Sequence, residues 1–224
     1  MTVLPLPDEL LMLGFDDAVG RPLVPGIVLD LGLAGAVLIE LLLAGRLTVR
    51  DERVFVTDAR PVDDPIAEAA LDKIRSAAEP HEVRRWVPDL AKGVREQILG
   101  RLVATGVVER AETLVLGLFR RVRYPLLNPA PETAAQLRLD VVIRHREEPG
   151  RHTAALAIMV HAIGLGPKLY PDLPATLVRE RFDAIVDADW GGAEIKEAVT
   201  AVYLAVESAA SAVAINTAVA GSFA

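Results

Sequence analysis

The sequence predicts a mainly α-helical protein, with a helical bundle as core, winged-helix-like units and protruding β-hairpins. Hydrophobic residues make up 52% of the chain and aromatic residues only 4%, so the core is built from Leu, Val, Ile and Ala. That composition favours helix packing over a β-sandwich. Apolar residues recur at helical spacing through most of the chain, and short β-prone runs follow two helices that end at glycine.

The chain is expected to form one domain, residues 1–224, without a metal or cofactor. It contains no cysteine, which excludes disulfides and thiolate metal sites. None of its four histidines stands in a metal-binding pattern, and no catalytic constellation is recognisable. The first residues lack the basic start and apolar run of a signal peptide, so a cytoplasmic location is expected.

The first half of the chain is predicted to contain helices and two hairpins. A short helix runs from Pro7 to Gly14, and residues 16–22 form a turn. A helix over residues 27–44 ends at Gly45, and residues 46–50 pair with 53–57 as a hairpin. A helix over residues 64–76 follows, then one over 88–105 with apolar residues at every fourth position. The second hairpin is predicted to pair residues 107–110 with 114–119.

The second half is predicted to be helical after an extended, proline-rich crossing at residues 124–131. The predicted helices cover residues 132–146, 152–163, 175–186 and 193–220. Residues 26–45 and 196–224 are apolar enough to raise the question of a membrane span. Both stretches contain carboxylates, which cost about 2.5–3.5 kcal/mol each at the centre of a bilayer. We therefore expect both to be central helices of a soluble domain, surrounded by protein on all sides.

Basic residues are concentrated in the middle of the chain. The formal net charge is −7, which argues against nucleic-acid binding and against a DNA-binding regulator. Residues 84–123, however, hold nine basic and four acidic residues. Five net charges would contribute roughly 5 kcal/mol at an anionic membrane surface, too little for stable docking without a headgroup pocket or an inserted apolar hairpin. The alternative is a solvated helix face on which Lys92 pairs with Glu96.

The candidate site residues fall into two sets, and none is catalytic. Cations that could contact a phosphate or lipid headgroup are Lys92, Arg95, Arg84 and Arg85. A second set could contact a membrane or a protein partner through the second hairpin: Leu114, Leu116, Leu118, Phe119, Arg120 and Arg121. The arginines of that hairpin have a second interpretation, as a charged edge that prevents sheet aggregation.

Four other residues are interpreted structurally. His161 lies in an apolar run, and we expect a core histidine bonded to the backbone. Trp86 is expected to pack beneath the following helix rather than at a membrane interface. Gly32 and Gly35 lack the strand–glycine–helix context of a dinucleotide site, so we expect them to allow close helix packing.

Several segments together resemble the Golgi phosphoprotein 3 family, in its bacterial branch, over nearly the whole chain. No single segment carries the resemblance, which rests on their order and spacing. They are ELLMLGFDD from Glu9, GLAG from Gly32, GRL from Gly45, KGVRE from Lys92 and YPL from Tyr124.

The resemblance implies a helical fold with protruding hairpins, and a basic pocket. Eukaryotic members bind phosphatidylinositol 4-phosphate through that pocket, bind enzyme tails, and self-associate through a hairpin. Lys92 and Arg95 match two pocket cations, and their spacing on a helix would put both on one face around one phosphate. A pocket tryptophan falls at Pro25 and a pocket arginine at Ala34, so half of that pocket is replaced here.

The expected function is that of a non-enzymatic, cytoplasmic, peripheral membrane protein. It would bind an anionic phospholipid headgroup, similar to phosphatidylinositol 4-phosphate, through a basic pocket. The alternative is an adaptor or oligomerising scaffold that binds protein partners, or a second copy of itself, through its hairpins and has lost lipid binding. The sequence leaves the lipid species, the partner and the oligomeric state open.

Overall fold

The computed structural model describes residues 3–16, 21–115, 119–188 and 190–221. Within these ranges the chain is mainly helical and carries only small two-stranded antiparallel sheets, which confirms the predicted fold class. The helices are α1 Leu6–Leu13, α2 Gly26–Leu43, α3 Pro65–Arg75, α4 Val83–Leu90, α5 Val94–Ala104, α6 Ala130–His145, α7 Arg151–Ala162, α8 Gly166–Leu169, α9 Ala175–Asp187 and α10 Ala193–Gly221. The strands are β1 Phe15–Asp16, β2 Arg21–Pro22, β3 Leu47–Arg50, β4 Arg53–Val56, β5 Ala111–Val115 and β6 Phe119–Arg123.

Helix α2 is the centre of the core, and α1, α3, α4, α7 and α10 all pack against it. Its two glycines lie at close helix contacts. A Cβ at Gly32 would stand 2.6 Å from Ile163 Cγ2, and a Cβ at Gly35 would stand 2.7 Å from Val206 Cγ2. The prediction that these glycines allow close helix packing is therefore confirmed.

The first hairpin forms where it was predicted, directly after α2. Gly45 ends that helix with a φ of +67°, and β3 then pairs with β4. Asp51 and Glu52 connect the strands with φ angles of +50° and +60°. Positive φ at both central residues gives a two-residue turn whose twist matches that of the strands.

The second hairpin pairs other residues than predicted. It is β5 with β6, whereas the sequence indicated residues 107–110 with 114–119. Val107 and Val108 are buried, Val108 forms an isolated bridge with Leu126, and Val107 accepts the backbone N–H of Leu127. These two β-prone residues therefore belong to the core and pair with the extended crossing, and they are not part of the hairpin.

The predicted helix over residues 88–105 is wrong, because the structure has two helices there. Gly93 has a φ of +77°, which interrupts the α-helical backbone between α4 and α5. The side chains of Leu90 and Val94 nevertheless both reach apolar surroundings, which is why the sequence spacing imitates one helix. Trp86 of α4 is only 4% exposed, so it is buried; its packing beneath the following helix stays a prediction.

Helices α2 and α10 are both long and apolar enough to meet the length and composition criteria for a membrane span, but their surroundings differ. The apolar stretch of α2, residues 26–43, is 72% buried in the protein, as expected for a central helix. That of α10, residues 195–215, is only 28% buried, so the expectation of a fully surrounded helix is wrong for α10. Its first half packs Val199, Val202 and Val206 into the core, while Leu204 and Ile215 are more than half exposed.

Helix α1 holds two buried carboxylates in its first turn. Asp8 and Glu9 are each 1% exposed. Asp8 forms an ion pair with Arg101 of α5. Glu9 accepts hydrogen bonds from Arg138 of α6 at 2.7 Å, and His152 Nε2 of α7 lies 3.0 Å from it. These pairs tie α1 to three other helices.

Candidate anion-binding site

A small cavity of about 130 Å³ lies where α3, α4 and the start of α5 meet. Three charged residues line it. Lys73 Nζ of α3 donates a hydrogen bond to the backbone oxygen of Asp89 at 3.0 Å, and Lys92 Nζ donates to Asp89 Oδ1 at 2.7 Å. The Lys92 side chain is 76% exposed. Two ammonium groups at the rim of this cavity therefore share one acidic residue.

The local fold explains why these charges meet. Lys73 lies in the last turn of α3, where the helix dipole favours a cation. Asp89 lies near the end of α4, and the left-handed turn at Gly93 allows Lys92 to fold back onto it. The Lys92 ammonium lowers the pKa of Asp89, and Lys73 and Arg85 act in the same direction. We call Lys73, Arg85, Asp89 and Lys92 the Asp89 cluster; its formal charge is positive.

The two predicted arginines of α4 have different neighbours. Arg84 forms an ion pair with Glu82, and this contact raises the pKa of Arg84. Arg85 stands one helical turn before Asp89, and its Nη1 lies 3.3 Å from His81 Nδ1. Both arginines are exposed. Arg85 therefore adds positive potential to the Asp89 cluster, whereas a carboxylate already neutralises Arg84.

Arg95 belongs to a separate ion pair. Its Nε lies 3.0 Å from Asp30 Oδ1 and its Nη2 lies 3.1 Å from Oδ2, a bidentate contact between half-buried groups. The guanidinium lies against the first residue of α2, since a Cβ at Gly26 would be 2.9 Å from Arg95 Nη1. Burial raises the pKa of Asp30, and Arg95 opposes that shift.

Lys92 and Arg95 therefore do not lie on one helix face. Helix α5 begins at Val94 with Gly93 as its N-cap, so Lys92 precedes the helix, and the two cations contact different carboxylates. The sequence spacing implied one face because it assumed an uninterrupted helix. Whether either residue binds a phosphate stays a prediction.

The two positions that depart from the family pattern lie on α2. Pro25 is its N-cap residue, and Ala34 is fully buried two turns later. Asp30 stands one turn before Ala34 and neutralises Arg95. The Arg95–Asp30 pair thus contributes no excess of positive charge, and Glu96 adds a negative charge near it.

The basic excess of residues 84–123 is reduced by acids from elsewhere in the chain. Asp30 pairs with Arg95, Glu82 pairs with Arg84, and Asp8 and Asp64 pair with Arg101. Sequence reasoning missed Lys73 as a member of the site and treated Asp30 only as an interruption of an apolar run. A carboxylate within such a run was the available signal that a cation lies opposite it.

The hairpin residues of the second predicted set are partly described. Leu114 of β5 pairs with Arg120 of β6, Thr113 with Arg121, and Val115 with Phe119. Leu116 and Leu118, which lie between the strands in sequence, are outside the described residues. The role of this hairpin in membrane or partner contact stays a prediction.

His161 differs from its expected role, because it bonds a carboxylate and not the backbone. Its Nε2 lies 2.8 Å from Asp183 Oδ1. The ring stacks between Phe182 and Tyr203, with centroid distances of 5.5 and 5.7 Å. Within the described ranges, no three histidine or acidic side chains are grouped so as to hold a metal ion.

A comparison with protein families gives one match of wide coverage. The family model described as Golgi phosphoprotein 3 (GPP34) matches residues 6–202. That range contains the whole Asp89 cluster, the Arg95–Asp30 pair, the second hairpin and the first part of α10.

Proposed function

The chain belongs to the Golgi phosphoprotein 3 family, and from that premise we propose that it is a non-enzymatic protein that docks peripherally on an anionic membrane surface. Phosphoinositide binding is known for the family in general. In this chain the phosphate of an anionic phospholipid headgroup, similar to phosphatidylinositol 4-phosphate, contacts Lys92 and Lys73, and Arg85 adds positive potential.

The observation that carries this proposal is the exposed pair of lysines that shares Asp89. An ion pair as exposed as Lys92–Asp89 contributes about 0–1 kcal/mol, so exchanging the carboxylate for a phosphate costs little. An ammonium binds phosphate as a point charge and needs no fixed orientation. Arg95 is less available, because its bidentate contact with Asp30 is half-buried and both partners would lose it.

The Asp89 cluster alone gives weak binding. Three cations around one carboxylate leave two net charges, which contribute about 2 kcal/mol at an anionic surface. Stable docking therefore needs a second contribution. Insertion of the second hairpin into the membrane, or several copies of the protein on one surface, would supply it.

Vesicle co-sedimentation tests the proposal. Vesicles of phosphatidylcholine alone are compared with vesicles that also contain phosphatidylserine or phosphatidylinositol 4-phosphate. We expect binding only to the anionic vesicles, and a loss of at least roughly tenfold for Lys73→Glu/Lys92→Glu. The matched control is Arg146→Glu/Arg151→Glu, which changes the charge equally at two exposed residues of the α6–α7 connection.

A third variant has the opposite expected sign. Asp89→Asn removes the carboxylate that competes with the phosphate, so binding should become a few-fold tighter. Equal binding of the wild type to neutral and anionic vesicles would contradict the proposal, and so would an equal loss in the α6–α7 control.

One observation favours the adaptor or oligomerising scaffold as a second candidate function. Helix α10 exposes Leu204 and Ile215 within a stretch, residues 195–215, whose mean hydropathy is 1.7. Exposed apolar surface of this kind is common at contacts between proteins. The hairpin and the face of α10 that carries Leu204 and Ile215 would then be the surfaces for a protein partner or a second copy.

A further inference from the structure

A large cavity in the described part of the chain is remote from the Asp89 cluster. It has a volume of about 810 Å³ and lies among α7, α8, α9, α10 and the segment that leads into α2. Pockets that bind small molecules have volumes of about 300–1,000 Å³. The space therefore suffices for an organic ligand.

Much of the cavity wall is apolar. Val28, Ile163, Val178 and Phe182 all line it, and each is at most 5% exposed. Ala214, from the outer half of α10, lines it as well. Buried core side chains therefore form one part of the wall, and the exposed Ala214 of α10 forms another. Such a wall favours an alkyl chain over a strongly hydrated ligand.

The acidic side chains of the cavity wall already have hydrogen-bond partners within the protein. The carboxylate of Asp183 is bonded to His161, and Glu207 accepts a hydrogen bond from the Tyr203 hydroxyl at 3.0 Å. Burial and the bond to Glu207 raise the pKa of Tyr203, so its hydroxyl stays a donor at neutral pH.

Two cations of the wall have no such partner. Lys168 of α8 and Arg179 of α9 line the cavity and are exposed. No ion pair or hydrogen bond joins the side chain of either residue to another described residue. Lys168 and Arg179 are therefore the charged groups of the wall that are free to contact a ligand, and they favour an anionic head group.

We infer that this cavity binds a single-chain anionic amphiphile, with a carboxylate or phosphate head at Lys168 and Arg179 and its alkyl chain along Val28, Ile163 and Val178. The apolar wall supplies the affinity for the chain, and the two cations select the sign of the head group. The inference uses none of the residues of the Asp89 cluster, so the two proposals stand or fall separately.

Isothermal titration calorimetry of the full chain with monomeric ligands tests the inference. Decanoate and decyl phosphate are compared with decyltrimethylammonium, which has the same chain and the opposite charge, and with inorganic phosphate, which has no chain. We expect both anionic amphiphiles to bind at least about tenfold more tightly than either control.

Three variants locate the site. Lys168→Glu/Arg179→Glu changes two exposed side chains and should weaken decyl phosphate binding at least about tenfold. Ala214→Trp fills the cavity from its exposed side and should weaken binding of every alkyl ligand. Lys73→Glu/Lys92→Glu should leave decyl phosphate binding unchanged, whatever it does to vesicle binding. Thermal unfolding of each variant confirms that it folds.

Several results would overturn the inference. Equal affinity for decyltrimethylammonium would show an unselective apolar surface, and equal affinity for inorganic phosphate would show that the apolar wall is not used. Unchanged affinity in folded Lys168→Glu/Arg179→Glu protein would place the ligand elsewhere. If Ala214→Trp does not fold, the affinity of the Lys168→Glu/Arg179→Glu variant alone decides whether the ligand binds in this cavity.

Discussion

The ionisation of the buried Asp8 carboxyl affects the stability of the fold. Burial at the start of α1 raises its pKa from 3.8 to about 6, although Arg101 opposes the shift. A carboxylate with a raised pKa in the folded state holds its proton more tightly there than in the unfolded chain. Its contribution to stability is therefore complete below about pH 4 and is lost as the pH rises through about 6.

We expect Asp8→Asn to remove this dependence. The amide imitates the protonated carboxyl and still accepts a hydrogen bond from Arg101. The free energy of unfolding of the variant, relative to the wild type, should rise by up to about 3 kcal/mol between pH 4 and pH 7. Urea unfolding at the two pH values measures this difference, from which all other titrating groups cancel. A constant difference would show that Asp8 ionises normally.

Two glycines in helices should respond oppositely to alanine. At Gly35 a Cβ would lie 2.7 Å from Val206 Cγ2 and 2.9 Å from Met159 Sδ, both in the core. Overpacking of this kind costs about 1–3 kcal/mol, so Gly35→Ala should destabilise the protein. A Cβ added at Gly100, in α5, would meet no neighbouring side chain within 4 Å. Gly100→Ala should therefore stabilise the protein by about 0.5–1 kcal/mol through helix propensity.

Urea midpoints of the two glycine variants provide the measurement, and each variant is the control for the other. A stabilising Gly35→Ala substitution would mean that α2 and α10 can move apart at little cost. The close packing described for the centre of the protein would then be incorrect.

Among the elements, the second hairpin is the one whose removal separates the two candidate functions. Strands β5 and β6 pack chiefly on each other, so replacing residues 112–122 by a short glycine–serine link should leave the helices intact. If the hairpin joins copies of the chain, light scattering should show a lower mass for the shortened protein at equal concentration. An unchanged mass would count against the scaffold, and unchanged circular dichroism is the control for folding.

Most elements were predictable from the sequence because periodicity and glycine mark them. The boundaries of α2, α3 and β3–β4 follow from apolar spacing, an aspartate N-cap and the turn at Asp51 and Glu52. The break at Gly93 was not predictable in the same way, since the apolar spacing continues across it. The short α8 was missed because four residues carry too little pattern to detect.

At the scale of the whole molecule, the sequence predicted the family and the fold class but only part of the candidate site. Charge sums along a segment cannot show which acids fold onto it. Asp30 is 65 residues from Arg95 and neutralises it, while Lys73 joins Lys92 from another helix. Tertiary contacts thus moved the centre of the proposed site from the Lys92–Arg95 pair to the Asp89 cluster.

The buried carboxylates of α1 also bear on the order of folding. The side chains that pair with Asp8 and Glu9 lie 93, 129 and 143 residues further along the chain, at Arg101, Arg138 and His152. Contacts over such distances form slowly because a long loop must close first. During synthesis α1 therefore completes these contacts only after the segment that carries His152 has emerged. These ion pairs are then completed later than the packing of α1 on the nearby helix α2.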